Sequence, residues 1–443
     1  MPSPKSAPLN LAPPVATPSK YAERVTSPSF RKEQGPAPER RSSRRRRAPR
    51  LALTGLLSAL LIVGLAVAWP FSSGTKSSQS NAAGVTTTTP PVTTPPGEVR
   101  PPGKQASLRR LVLYKTVGGA ISPKSVVATN TGMVLAQNMM YRHTVTVYGS
   151  AGGLRKTVSD AVNLSQFGVT GHPGVSHGAP VEAAITPDGN FAWISNYSMY
   201  GAGFGPEGSD ECSPGSARGA GVTDSYVYRL NLKTLTIDAV ARAGMVPKYL
   251  AVTPNGRYLV VSNWCSWDAV VIDLTGNKVV ARVPVGAYPR GIAISPDSQF
   301  AYIAIMGSSV LDILNLNTMK VVGQIPVGSN VRHVVMSPTD NRLLYVSLNA
   351  SGVVEKVNRL TRKVIGQVHT GSGCRTLAIS ADGTALFVVN YDSNSMTMLR
   401  ASDLHILQTV HTGTHPIGVT YDGVTGRVWV AIYTGAIMIY DTK

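Results

Sequence analysis

Cysteine is nearly absent from this chain: three in 443 residues, too few for a disulfide-built scaffold. Charged side chains make up only 15%, and there are seven Phe and five Trp. Such a low charge content excludes a coiled coil or a wholly disordered polyelectrolyte. Catalytic signatures are missing too. There is no Gly-x-Ser-x-Gly elbow, no phosphate-cradling Gly-Lys-Ser/Thr loop, no Cys-x-x-Cys-His heme attachment and no zinc-protease motif. What is abundant is Gly (43) and Pro (31) in a 43% hydrophobic background. That mixture suits many short strands separated by turns.

The net charge of +19 is unevenly placed. Residues 1–50 hold 12 Lys/Arg against 3 Asp/Glu, and residues 72–110 hold 5 against 1, leaving +6 for 111–443. The basicity is a property of the N-terminal region, so no nucleic acid is expected on the folded part. Residues 1–50 are rich in Pro, Ser and Arg and lack apolar periodicity, the composition of a disordered basic tail. The tail ends in Arg40-Arg41-Ser42-Ser43-Arg44-Arg45-Arg46-Arg47. Leu51 to Trp69 follows, 19 residues without a charge. As a helix it would span about 28 Å, close to the roughly 30 Å of a hydrocarbon core. Residues 51–71 are therefore expected to cross the plasma membrane once, with Trp69 and Phe71 at the interface. The Arg run places the N-terminus in the cytoplasm and the remainder outside. The alternative is a secreted protein cleaved near Ala68, after the small-residue pattern Ala66-Val67-Ala68. Residues 72–108 read as a Ser/Thr/Pro-rich linker, semi-stiff and extended.

From residue 109 to 443 the chain repeats. Seven segments align: PKSVVATNTG from Pro123, PVEAAITPDG from Pro180, PKYLAVTPNG from Pro247, PRGIAISPDS from Pro289, VRHVVMSPTD from Val331, CRTLAISADG from Cys374 and PIGVTYDGVTG from Pro416. Their starts are 57, 67, 42, 42, 43 and 42 residues apart. A unit of about 42 residues fits four short strands, A to D. In the fourth unit these read as Arg290–Ser295, Phe300–Ile305, Val310–Leu316 and Lys320–Val327. The seventh unit supplies strands A to C only, while Arg110–Val117 carries the pattern of a strand D. The expectation is an all-β, seven-bladed β-propeller in which that N-terminal strand completes the last blade.

The Ala-x-Ser/Thr-Pro-Asp/Asn-Gly turns, the Val-Gly before strand A and strand endings such as Trp193-Ile194-Ser195-Asn196, Leu259-Val260-Val261-Ser262-Asn263 and Phe387-Val388-Val389-Asn390 resemble the YVTN-type (YncE-like) bacterial β-propeller repeat family. The resemblance covers residues 109–443. It implies the propeller fold and an extracytoplasmic setting, and it is nearly silent on chemistry.

Two insertions, 163–179 and 197–225, fall on the rim formed by the B–C loops and the D-to-A connections, where propellers place binding residues. The second repeat position opens strand A on that rim. It reads Lys124, Val181, Lys248, Arg290, Arg332, Arg375 and Ile417. Five cations around one channel mouth would focus a field on an anion. They would otherwise pair with carboxylates or backbone carbonyls at the strand starts. Asn196, Asn263 and Asn390, with Asn138, end strand B on the same rim, as hydrogen-bonding candidates or as caps for the loops. Trp264 and Trp267 add aromatic faces. Cys212 and Cys265 lie on neighbouring loops of one rim, and a disulfide between them is expected outside the membrane. Cys374 beside Arg375 is either a thiol activated by the cation or a plain buried one. His172, His177, Asp210 and Glu211 are the nearest approach to a metal set, on loops too Gly- and Pro-rich to fix ligand spacing, so neither metal nor cofactor is expected.

These readings favour a membrane-tethered binding or interaction module, taking a protein or an anionic envelope ligand on the insertion-bearing rim. The alternative is a propeller enzyme of the lactonase or lyase type, which would need a His/carboxylate cluster converging at the channel mouth.

Overall fold

The computed structural model describes residues 105–139, 142–205 and 221–443. The basic tail, the expected membrane span and nearly all of the linker lie outside the described residues, as do Asp210, Glu211 and Cys212. Among the described residues no helix is long and apolar enough to cross a membrane. Helical structure there is confined to two short 3₁₀ turns, Ala106–Leu108 and Leu164–Phe167.

Twenty-eight strands form seven antiparallel four-stranded sheets, the blades of a β-propeller. Blades 1 to 6 are each continuous in sequence. Blade 7 joins Pro416–Asp422, Arg427–Ile432 and Ala436–Thr442 to Leu111–Val117 at its outer edge. The expected ring closure is present, with Leu111 opposite Thr442 and Val117 opposite Ile437. Blade 4 follows the sequence reading within one residue at each strand end, with Pro289–Ile294, Phe300–Ile305, Val310–Asn315 and Lys320–Pro326.

The core is divided among the seams. Each pair of neighbouring blades shares one apolar cluster, including the 7–1 seam, where Val126, Val134 and Tyr148 meet Ile417, Trp429 and Ile439. A blade buries little by itself, so the ring is the folding unit. The repeated Ser/Thr-Pro-Asp/Asn-Gly turns are built from side chains. In blade 2 the Thr186 hydroxyl donates to Asp188, while the Asn190 N–H donates to the same carboxylate at 3.0 Å. Gly189 closes that turn at φ +70°, a region where a side chain is strained.

Blade 2 departs from the expected pattern. Its first two strands run from His177 to Ile185 and from Phe191 to Tyr200, so the hairpin extends past Asn196 into what reads in sequence as loop. After the uninterrupted buried run Ala192–Tyr197, Ser198 to Tyr200 alternate between half-buried and buried positions, and the pairing runs on through them, with His177 opposite Tyr200.

Candidate functional site

The innermost strands begin at Pro123, His177, Pro247, Pro289, Val331, Cys374 and Pro416. In every blade the register with the next strand slips within the first residues of the repeat, as between Pro247 and Tyr249 or Val331 and His333. A bulge of this kind breaks the strict alternation of a strand. Consecutive side chains at the second and third repeat positions can therefore both face the axis.

The second position provides the cation ring. Lys124, Lys248, Arg290 and Arg332 line one cavity of about 30 Å³ on the axis, closed by Val181 and Ile417. Arg375 does not line it but lies close enough to lower the pKa of both Lys124 and Arg332. The third position reads Ser125, Glu182, Tyr249, Gly291, His333, Thr376 and Gly418, and all seven line the axis across this cavity and a deeper one of about 180 Å³. Glycine occurs there where strands crowd. A Cβ on Gly291 would stand 2.8 Å from His333 Cα, and one on Gly418 2.9 Å from Ser125 Cα.

Electrostatics follow from this packing. Burial, then repulsion from Arg332, Arg290, Arg375 and Lys248, pulls the Lys124 ammonium well below the usual lysine range. Arg332 is 8% exposed, and burial together with Arg290 and Arg375 lowers its pKa too. Glu182 is the carboxylate among the lining residues. Burial pushes it up to about 7, while Lys124 draws it back down. Burial, Arg332 and Arg290 hold His333 down to about 3, so its ring is neutral. Its Nδ1 accepts from the Leu377 N–H at 3.4 Å, and its face is edge-on to Tyr249 at 5.0 Å.

Aromatic faces from the rim support the cations. The Lys248 ammonium lies 3.8 Å from the Tyr197 ring centroid and 5.3 Å from that of Trp264. The Arg290 guanidinium lies 4.6 Å from Trp264, and that of Arg375 lies 3.6 Å from Tyr391. Tyr391 is itself stacked on His415 at 4.3 Å. Among the described residues no ion pair within 4.0 Å involves Lys124, Arg332 or Arg375. Pairing with carboxylates at the strand starts thus does not account for these three.

Other candidates have structural surroundings. Asn196, Asn263 and Asn390 are fully buried and do not face the lumen; their amides hold the rim together. Asn196 donates to the Tyr226 carbonyl at 3.1 Å, Asn263 receives the Gly244 N–H at 3.0 Å, and Asn390 receives the Thr370 hydroxyl at 2.9 Å. Trp267 sits edge-on to Tyr288 at 5.6 Å. Cys265 is disulfide-bonded, and its expected partner Cys212 is outside the described residues. Cys374 is fully buried, and burial pushes its thiol up to about 12 despite Arg332, which removes the activated-thiol reading. No group of His, Cys, Asp and Glu among the described residues could hold a metal ion. His172 stacks on Phe204 at 3.9 Å, while His177 reaches Asp160 at 3.4 Å.

Glu182, Tyr249 and His333, all at the third repeat position, were not singled out in the sequence, and neither was Tyr391 in the B–C loop of blade 6. The third repeat position was aligned as plainly as the second. Its residues share no chemistry, however, so the row carried no signal until the bulge turned it inward.

The fold and its axis define the class: a seven-bladed β-propeller with a cation-lined channel. A model of the cytochrome D1 heme domain family matches residues 306–438, less than half of the chain. Among solved structures, Kuenenia stuttgartiensis hydrazine synthase is similar at 17% identity and a TM-score of 0.56, covering 73% of this chain and 96% of that one. A chain from the crystal structure of the mitotic checkpoint complex is similar at 11% identity and a TM-score of 0.59, covering 75% and 96%. Likeness at such identities establishes the fold alone. No curated protein matches.

Proposed function

We propose that this protein is a membrane-tethered, extracytoplasmic β-propeller of the YVTN type that binds an anionic ligand, free or displayed by an envelope polymer or protein, at the mouth of its channel. The observation that carries this reading is the lining itself: four cations and one carboxylate around a single small cavity, with a fifth cation behind them. Like charges brought together in a poorly solvated place repel strongly, and an anion relieves that repulsion. Residues 51–71 supply the tether and residues 72–104 the stalk, the last residues of the expected linker, Ala106–Leu108, being packed on blade 6 instead. The disulfide proposed between Cys212 and Cys265 would pin the long blade 2 loop beside the mouth.

Heme, named by the matching family model, does not fit the described residues of the channel. The histidine there is His333, whose Nδ1 accepts the Leu377 N–H and so leaves the ring proton on Nε2, the nitrogen an axial ligand would need bare, and the cavities of about 30 and 180 Å³ are far smaller than a tetrapyrrole. A lactonase or lyase remains the second reading, because Glu182, Tyr249 and His333 do converge on the axis and Glu182 titrates near neutrality. His333, held down to about 3, would be a weak general base.

The test is a thermal-shift screen of the full-length protein against small anions, sugar acids and envelope polysaccharide fragments. A bound ligand raises the midpoint by mass action. The expected result is a shift with at least one anion, abolished in Arg290→Glu/Arg332→Glu. A shift that survives the double charge reversal would rule out the ring as the site.

A further inference from the structure

Glu182 is the one ring residue whose charge opposes an anion. It shares the cavity of about 30 Å³ with Lys124, Lys248, Arg290, Arg332 and His333. The cavity is small, so an ion seated among the cations also meets Glu182 and His333. Glu182 Oε1 accepts one backbone bond, from Ala183 N–H at 3.3 Å, and the Ser125 hydroxyl also favours its charged form; the two carboxylate oxygens together still keep acceptor capacity toward the lumen. An ionised carboxylate only accepts hydrogen bonds. Sulfate, without a proton to give, meets it lone pair to lone pair. An oxyanion that keeps an O–H donates to it, and such a bond to a charged acceptor is short and strong.

A second observation points to an oxyanion independently. His333 is 6% exposed, and with Nδ1 accepting from Leu377 its ring proton is assigned to Nε2. Nε2 is buried and has no hydrogen-bond partner among the described residues, in a ring that lines both cavities. A buried donor without an acceptor is costly. An oxyanion oxygen in the cavity would satisfy it.

Building on the anion reading above, we propose that the ring binds an oxyanion of the hydrogen phosphate type and rejects sulfate, with Glu182 accepting the ligand's remaining proton and His333 Nε2–H donating to one of its oxygens. Sulfate and hydrogen phosphate match in charge and shape, so the proton is the difference that Glu182 reads.

The groups facing Glu182 set its pH range. They are Lys124 and Ser125 from blade 1, Lys248 and Tyr249 from blade 3, Arg290 from blade 4, and Arg332 and His333 from blade 5. Arg375 of blade 6 acts through Lys124, and blade 7 contributes the uncharged Ile417 and Gly418. His333 stays neutral across the working range. Glu182 ionises near 7, so it discriminates above that pH. Below it, the neutral carboxyl can itself donate, and sulfate is no longer rejected.

Isothermal titration calorimetry on the full-length protein in phosphate-free buffer tests this, with inorganic phosphate, methyl phosphate and sulfate at pH 8.0 and 5.5. At pH 8.0 phosphate should bind at least about tenfold tighter than sulfate, the scale set by one charged hydrogen bond against one unpaired acceptor. Methyl phosphate, a dianion without a proton at that pH, should follow sulfate, since its second pKa is about 6. The gap should close to within about twofold in Glu182→Gln at pH 8.0, where both ions are dianions; at pH 5.5, where phosphate carries one charge less, the readout is sulfate alone, which should bind the wild type more tightly than at pH 8.0. Equal wild-type affinities for phosphate and sulfate at pH 8.0 would overturn the discrimination and leave the anion site standing. Methyl phosphate binding as tightly as phosphate would overturn the proton-reading role and point to a phosphate monoester. No binding of any of the three would overturn this inference, leaving the anion reading to stand or fall on the wider screen. If Glu182→Gln does not fold, the wild-type comparison of phosphate with sulfate and methyl phosphate at pH 8.0 decides by itself.

Discussion

Asn263 and Arg375 show how differently two rim residues are used. Asn263 is fully buried; it receives the Gly244 N–H at 3.0 Å and donates to Asp268 at 2.7 Å, tying the connection into strand A to the adjoining loop. Truncation strands a backbone donor, so Asn263→Ala should cost about 2 kcal/mol of stability. A chemical denaturation series would show it as a lower midpoint at unchanged slope, with anion affinity intact in the folded protein. Arg375 rests on the Tyr391 face close enough to Arg332 to lower its pKa, and under the proposed function it serves recognition instead. Both residues are legible as repeat positions in the sequence. Their roles are not, because a repeat gives the position along a strand and not the direction in which the side chain points.

At the scale of the strand, the recurrent bulge near the start of each innermost strand decides what the channel is made of. Without it the third-position residues would point into a blade seam. Gly291 marks how closely neighbouring innermost strands approach there, with only 2.8 Å between a built Cβ and His333 Cα. Gly291→Ala should therefore destabilise by about 1–3 kcal/mol, the range for overpacking. It should also widen the mouth between blades 4 and 5, read as a lower urea midpoint together with weaker anion binding. Both unaltered would show that the strands can part without cost. Period, turn chemistry and the Val/Ile-rich strands were all readable beforehand, since each is a local pattern. The bulge and the longer blade 2 hairpin were not, because each depends on pairing between strands that no single segment encodes.

Across the whole molecule, the ring is one cooperative body because every seam has its own apolar cluster and no blade is self-sufficient. Removing residues 105–117 should expose the edge Ala436–Thr442 and leave blade 7 three-stranded. The expected outcome is a broadened, lowered thermal transition and oligomers on size-exclusion chromatography, since an open edge pairs with other chains. A monomer with an unchanged midpoint would mean that the clasp is dispensable. The same clasp is where the rest of the chain joins the propeller. Any pull arriving from residues before 105 must pass first through Ala106 and Ser107, whose N–H groups are held by Asp382 and Thr384 of blade 6 at 2.8 and 3.1 Å. It next meets Leu111, gripped by Gln408 at 2.8 Å, and Arg110, bonded through its carbonyl to the Lys443 N–H at 2.8 Å. Load is thus spread over two blades as it enters the strand whose loss would open the ring, and these few bonds act as a strain relief, like the collar where a cable enters its housing.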